Sequence, residues 1–190
     1  SGPNSQSVSD SWGRGIGWNE YLAQEGFVVV CVDPRGTAAR GEDFRKITYQ
    51  QLGKYETLDQ IEAAKYLGKQ PYADASRIGI FGWSYGGYVA LTGAFQKPTA
   101  YQCIISIAGV SDVEMLTDEG QRQRSALTEF HKKAIGNTDI DAEKEQLTNA
   151  SAINFVERIK APILLIHGKN DTQVHYGQSA AFYEEGKEAG

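Results

Sequence analysis

Cysteine, methionine, histidine and long apolar runs are all scarce in this chain of 190 residues. Two cysteines, Cys31 and Cys103, cannot build the dense disulfide framework of a small secreted domain. Each lies inside an apolar, strand-like run, so both are expected to be buried free thiols, which leaves the compartment open between cytoplasm, periplasm and exterior. The longest purely apolar run is the six residues of "FVVVCV" (27–32), far short of the ~20 that a membrane-spanning helix needs. Positive charge is not in excess either. A net charge of −5 provides no electrostatic footprint for nucleic acid or anionic lipid. The chain opens "SGPNSQSVSDSW", without an initiator methionine and without a basic-then-apolar leader, and its only methionine is Met115. It is expected to be an excised piece of a longer protein.

What is present suits one domain: 41% hydrophobic and 23% charged residues over a length ample for a buried core. Four short runs, "FVVVCVD" (27–33), "RIGIFGW" (77–83), "CIISIAG" (103–109) and "PILLIHG" (162–168), are continuously apolar rather than alternating. That is the pattern of parallel strands covered on both faces. Helical patterns lie between them, at 55–68 with Gly68 and Pro71 as stop signals, at 86–98 ended by Pro98, and at 176–190. Strand and helix in alternation imply an α/β fold, a mostly parallel sheet with helices on both faces. The interval 110–160 is longer than a crossover requires and the most polar part of the chain. It reads as a helical, cap-like insertion over the carboxyl edge of the sheet, with a solvated linker as the alternative.

Residues 82–86, Gly82-Trp83-Ser84-Tyr85-Gly86, fit G-x-S-x-G at the end of an expected strand and the start of an expected helix. This context makes Ser84 the candidate nucleophile: a strained turn exposes its hydroxyl, and the following N–H, that of Tyr85, faces the developing oxyanion. In such folds the partners follow in the order acid, then histidine. Asp171 comes three residues after the fourth apolar run and is the candidate acid. Asp139 and Asp141 lie in the polar interval as surface or helix-capping groups, and Asp112 stands at its start. The base is harder to place. His131 lies in the polar interval and His167 precedes Asp171, as a structural group ending its strand. His175 follows Asp171 by only four residues, with no further strand between them, and reads as a loop histidine near the site. The spacing leaves the base unassigned.

Five motifs carry a family resemblance: "GPNSQSV" (2–8), "VDPRGT" (32–37), "RGEDF" (40–44), "GWSYGGY" (82–88) and "HGKNDTQVHYGQS" (167–179). With them the chain resembles the catalytic domain of the prolyl oligopeptidase family of serine peptidases over nearly its whole length. The first half, including "QIEAAKYLG" (60–68), is similar to the dipeptidyl-peptidase-IV-like branch. The resemblance implies an α/β-hydrolase fold truncated at both ends, acting on peptide substrates without cofactor or metal. It implies Ser84 as nucleophile, Asp171 as triad acid, and Tyr85 as oxyanion donor and wall of the S1 pocket. Val110 and Val174 would be further walls, and Gln173 would lie near the substrate carbonyl. His175 matches a motif histidine that is not the base. The resemblance also implies what lies elsewhere in the parent: a propeller domain, a tyrosine before Gly2 as second oxyanion donor, flanking strands, and the triad histidine beyond residue 190. After "AGVSD" (108–112) the chain departs from the proline-binding aromatic pattern, carrying Val113 and Leu116, and its cap resembles the acylaminoacyl-peptidase branch.

The leading reading is therefore a serine peptidase domain, inactive by itself for want of a base. A carboxylesterase-type hydrolase is the alternative, since G-x-S-x-G does not choose between amide and ester, and a non-catalytic structural or interaction fragment is a third. Unpaired inner sheet edges would make the isolated chain prone to self-association as a homo-oligomer.

Overall fold

Three of the four apolar runs form the sheet. A computed structural model describes residues 5–8, 10, 17–116, 133–136 and 139–189. Strands β1 (Gly79–Trp83), β2 (Cys103–Ile107) and β3 (Ile163–Ile166) are parallel, in the order β1-β2-β3. The register sets Trp83 beside Ile107 and Ile107 beside Ile166, so the three strands end level at their carboxyl edge. Helices among the described residues include α1 (Trp18–Gln24), α2 (Glu42–Lys46), α3 (Tyr55–Leu67), α4 (Tyr85–Gln96), α5 (Asp141–Ala150) and α6 (Gly177–Glu188). Short 3-10 segments cover 75–77 and 152–158.

The three expected helical stretches appear with ends that differ by two residues or fewer. Helix α4 is buried almost all round, from Gly87 to Phe95, as a helix wedged between a sheet and other helices must be. Its Leu91, Ala94 and Phe95 pack with Ile104 of β2 and Phe182 of α6. Full burial of each large apolar side chain contributes about 1.5–3 kcal/mol. On its other flank α4 meets α3, where the buried hydroxyls of Thr57 and Thr92 lie 2.7 Å apart. Thr92 in turn donates to the Val89 carbonyl at 3.0 Å, so the pair is satisfied within the interface. A second apolar cluster lies at the carboxyl end of the sheet. Leu147 of α5 packs there with Tyr88, Val110, Val113 and Val174.

Two expectations are corrected. The run 27–33 is not a strand: it has no ladder, and Phe27, Val28 and Val30 are exposed. Apolar, β-branched composition confers only propensity, and a strand exists by pairing its N–H and C=O groups with a neighbour. The segment is tied down instead by its flanks. Gln60 donates to the Val32 carbonyl at 3.0 Å, and Asp33 accepts from the Ser7 and Val8 amides at 2.7 and 2.9 Å. Arg35 is gripped by Asp59 of α3, with its Nε and Nη2 at 3.0 and 2.7 Å from Oδ1. The second correction concerns the thiols. Cys31 and Cys103 are both free but both exposed, Cys103 at the first position of β2 and Cys31 in the unpaired run.

The two sheet faces differ. Alternation points Ile80, Ile104, Ser106 and Leu165 toward α4 and α6. Phe81, Trp83, Leu164 and Ile166 point the other way and are exposed. On that side the seven-residue α1 reaches the sheet through Trp18, whose ring meets Phe81 edge-on at 6.5 Å.

Candidate active site

Ser84 occupies the turn between β1 and α4, and its backbone is strained: φ is +57° and ψ −118°, a region L-residues rarely adopt. Two bonds hold it there. The Ser84 amide donates to the Ile107 carbonyl of β2 at 2.8 Å, and the Ser84 carbonyl accepts from the Tyr88 amide at 3.1 Å. The glycines around it have unequal roles. A Cβ on Gly82 would lie 2.2 Å from the Gly86 carbonyl carbon and oxygen, so strand and helix cross backbone to backbone at that point. A Cβ on Gly86 would meet nothing within 4 Å. The other close approach belongs to Gly87, whose Cβ would lie 2.8 Å from both Gly109 Cα and Ser106 Oγ. The close approach therefore requires glycine at 82, whose neighbour there is the Gly86 backbone.

Tyr85 opens α4, which puts its amide among the unsatisfied donors of a helix N-terminus. Its ring is turned inward, packed on the Val110 and Val174 cluster and 5.3 Å from the Tyr88 ring. The Tyr85 hydroxyl donates to Oε1 of Glu56. Burial first, and then the Glu56 charge, push the Tyr85 phenol well above its ordinary pKa, so it keeps its proton and acts as the donor.

Asp171 lies in the loop after β3. Its Oδ1 accepts from the Gln173 and Val174 amides at 2.8 and 3.0 Å. These bonds, Val174 before Gln173, hold its carboxyl below the usual carboxylate pKa; nearby His167 adds a smaller pull in the same direction. An open groove of about 500 Å³ runs along the strand ends from Trp83 past Ala108 and His167 to Asp171. It joins the residue before Ser84 to Asp171, on the exposed side of the sheet.

The histidines divide as the spacing suggests. The His167 side chain is buried, with Nδ1 2.7 Å from Ser179 Oγ and Nε2 2.8 Å from the Val174 carbonyl. A carbonyl can only accept, so Nε2 carries a hydrogen, and Nδ1 pairs with the Ser179 hydroxyl. With both nitrogens occupied, His167 is a brace for the Asp171 loop. His175 is exposed, and its Nδ1 accepts from the Gly177 amide at 3.0 Å at the start of α6. His131 and the Gly2-Pro3 start of the first motif lie outside the described residues. Asp112 places Oδ1 3.1 Å from the Met115 amide, and Asp141 stands in the first turn of α5; both have helix-end roles.

The remaining candidates fall around this frame. Val110 and Val174 are buried against Tyr85, and Gln173 is exposed beside Asp171. One organising group escaped the sequence reading. The fully buried Gln178 carboxamide accepts from the Ser111 and Asp112 amides, each at 2.8 Å, and donates to the Asp112 carbonyl at 2.9 Å, clamping the loop that carries Val110 onto α6. Its only sequence signal was membership of the last motif.

Residues 15–190 match the prolyl oligopeptidase family. Human prolyl endopeptidase FAP is 36% identical over 181 residues, covering 94% of this chain and 22% of its own length. Dipeptidyl aminopeptidase BIII of Pseudoxanthomonas mexicana is 33% identical over 170 residues, covering 90% of this chain and 24% of its own. Among solved structures, dipeptidyl peptidase 4 of Porphyromonas gingivalis has a TM-score of 0.85 at 37% identity, covering 100% of this chain and 25% of that one. Acylaminoacyl peptidase of Pyrococcus horikoshii has a TM-score of 0.71 at 30% identity, covering 83% and 25%. The chain thus spans about a quarter or less of the length of these relatives.

Proposed function

The chain belongs to the prolyl oligopeptidase family and has its α/β-hydrolase fold, and from that premise we propose that it carries the nucleophile and acid of a serine peptidase. The observation that carries the reading is Ser84, held at φ +57° between β1 and the N-terminus of α4. Strain of this kind costs of order 1–3 kcal/mol and persists where the surroundings impose it, characteristically at reactive groups. Asp171, kept ionised by two backbone amides, is the acid.

Ser84 Oγ attacks the carbonyl carbon of the scissile peptide bond as a histidine takes its proton. The resulting oxyanion is stabilised by the Tyr85 amide. The tetrahedral adduct collapses to an acyl-enzyme, the amine leaves with the histidine's proton, and water repeats the sequence to free the acid product. Asp171 fixes the tautomer of that histidine and stabilises its cation. His167 is occupied on both nitrogens, which supports assigning the base to a histidine of the parent beyond residue 190. Residues 1–190 alone are then a nucleophile and acid without a base, nearly inactive in isolation. In the same reading 110–160 forms a cap, Tyr85, Val110 and Val174 wall the S1 pocket, Gln173 reaches the substrate carbonyl, and a propeller domain completes the parent.

The test uses the full-length protein, treated with a fluorophosphonate and assayed on aminoacyl-peptide and simple ester substrates. Labelling at Ser84, absent in Ser84→Ala, together with turnover of the peptides is expected. Ester turnover with no peptide cleavage would replace the peptidase by an esterase. Undiminished labelling of Ser84→Ala would remove Ser84 as the nucleophile.

A further inference from the structure

Glu56 is the second residue of α3, and by sequence it is an ordinary acidic residue favoured at a helix N-terminus. The structure puts it elsewhere: it is only 1% exposed and bonded to the side chain of Tyr85, the residue after Ser84. Its Oε1 accepts from the Gly53 amide at 2.8 Å and from the Tyr85 hydroxyl. Oε2 is also buried and has no hydrogen-bond partner among the described residues. Gly53 is itself constrained, with φ +77° and a Cβ position that would fall 2.2 Å from the Tyr88 hydroxyl. Glu56, Gly53, Tyr85 and Tyr88 therefore form one packed unit joining the start of α3 to the first turn of α4.

A carboxyl group in such a place is costly. Burial raises the Glu56 pKa, against the lowering effect of the bonds from Tyr85 and Gly53. Asp59 raises it further, and Arg35 is paired with Asp59 at 2.7 Å. An apolar residue would fill the same volume without this penalty. What only a carboxyl or amide can do here is accept the Tyr85 phenol. Tyr85 is the residue whose amide faces the oxyanion and whose ring packs on Val110 and Val174.

We propose that Glu56 is a positioning residue for the reaction at Ser84: anchored on the Gly53 amide, it holds the Tyr85 side chain and so sets the orientation of the Tyr85 amide at the oxyanion site. This rests on Ser84 being the nucleophile. Loss of a whole oxyanion donor costs ~10²–10³ in kcat, so misaiming one is expected to cost about 10- to 100-fold.

The test compares Glu56→Leu, Glu56→Gln, Tyr85→Phe and the Glu56→Leu/Tyr85→Phe double variant in the full-length protein, with kcat, KM and Tm measured for each. Glu56→Leu and Tyr85→Phe should each lose about 10- to 100-fold in kcat with KM changed less than about threefold, and the double variant should lose no more than the worse single one. Glu56→Gln, whose amide oxygen still accepts from Tyr85 and Gly53, should recover most of the rate lost in Glu56→Leu. Should Glu56→Leu fail to fold, Tyr85→Phe and Glu56→Gln still decide. Wild-type kcat in Tyr85→Phe, additive losses in the double variant, or a Gln variant as slow as Leu would each overturn the proposal. Ser84→Ala in the same assay separates the two readings: turnover there would defeat the nucleophile assignment, whatever Glu56 does.

Discussion

At the carboxyl end of β1 the chain is held by close backbone packing together with backbone hydrogen bonds, whereas at the end of β3 the hydrogen bonds run to side chains. Around Ser84 the fixing contacts are Gly82 on Gly86 and Gly87 on Gly109, distances that leave no room for a Cβ. Around Asp171 they are two amides on one carboxylate oxygen, with buried His167 bridging Ser179 and the Val174 carbonyl. The difference suits the roles proposed for Ser84 and Asp171. A nucleophile must be rigid and thrust outward, so steric packing imposes a strained φ on it. An acid must stay ionised and aimed, which amide dipoles achieve without strain.

The comparison can be broken at several points. The largest effect is expected for Ser84→Ala, with kcat of the full-length protein falling about a millionfold while Tm stays within experimental scatter. Asp171→Asn should follow, at about 10⁴-fold in kcat, by loss of the correct histidine tautomer. A loss under tenfold would move the acid elsewhere. Gly82→Ala attacks the packed end and should cost about 2–3 kcal/mol in thermal unfolding, since the new methyl meets backbone that cannot rotate away. His167→Ala attacks the hydrogen-bonded end and should cost about 2 kcal/mol by leaving the Ser179 hydroxyl and the Val174 carbonyl without their buried partner. If both substitutions proved neutral, the contrast between the two ends would have no energetic content.

The smallest effects sharpen it. Ser84→Gly should stabilise the fold by about 1 kcal/mol while abolishing turnover, because glycine adopts the strained backbone freely. A destabilised glycine variant would mean that the turn stores no strain. The acid end instead carries a pH signature. The Asp171 pKa is lowered in the folded state, so its contribution is present above the ordinary carboxylate value and is lost as pH falls through the folded one. The stability difference between wild type and Asp171→Asn should therefore shrink below about pH 4. A difference independent of pH would remove the electrostatic account of that loop.

Patterns local in the chain were legible before any fold was known. Three strands, three helices and the turn at Ser84 follow from apolar runs, stop signals and glycine spacing, all of which act over a few residues. The structural role of His167 was also readable, since it ends an apolar run. Three features were not. The run 27–33 has the composition of a strand but no ladder, because pairing depends on a neighbour that composition does not supply. Cys31 and Cys103 look buried by context and are exposed, because exposure is set by what packs over a run rather than by its own residues. Likewise Phe81, Trp83, Leu164 and Ile166 share strands with buried neighbours, yet are exposed on the side where Trp18 meets Phe81.

Glu56 marks the boundary most clearly. In sequence it is 28 positions from Ser84, one acidic residue at the head of an amphipathic helix. In the fold it is buried and receives the phenol of Tyr85, the residue after Ser84. By itself the sequence determined the chemistry on offer: a serine in a strand-to-helix turn, an acid after a later strand, and the pattern of an α/β sheet. Only the tertiary structure decided which groups support that chemistry. Burial and hydrogen-bond partnership arise when distant helices close on one another, and no local spacing encodes the closure.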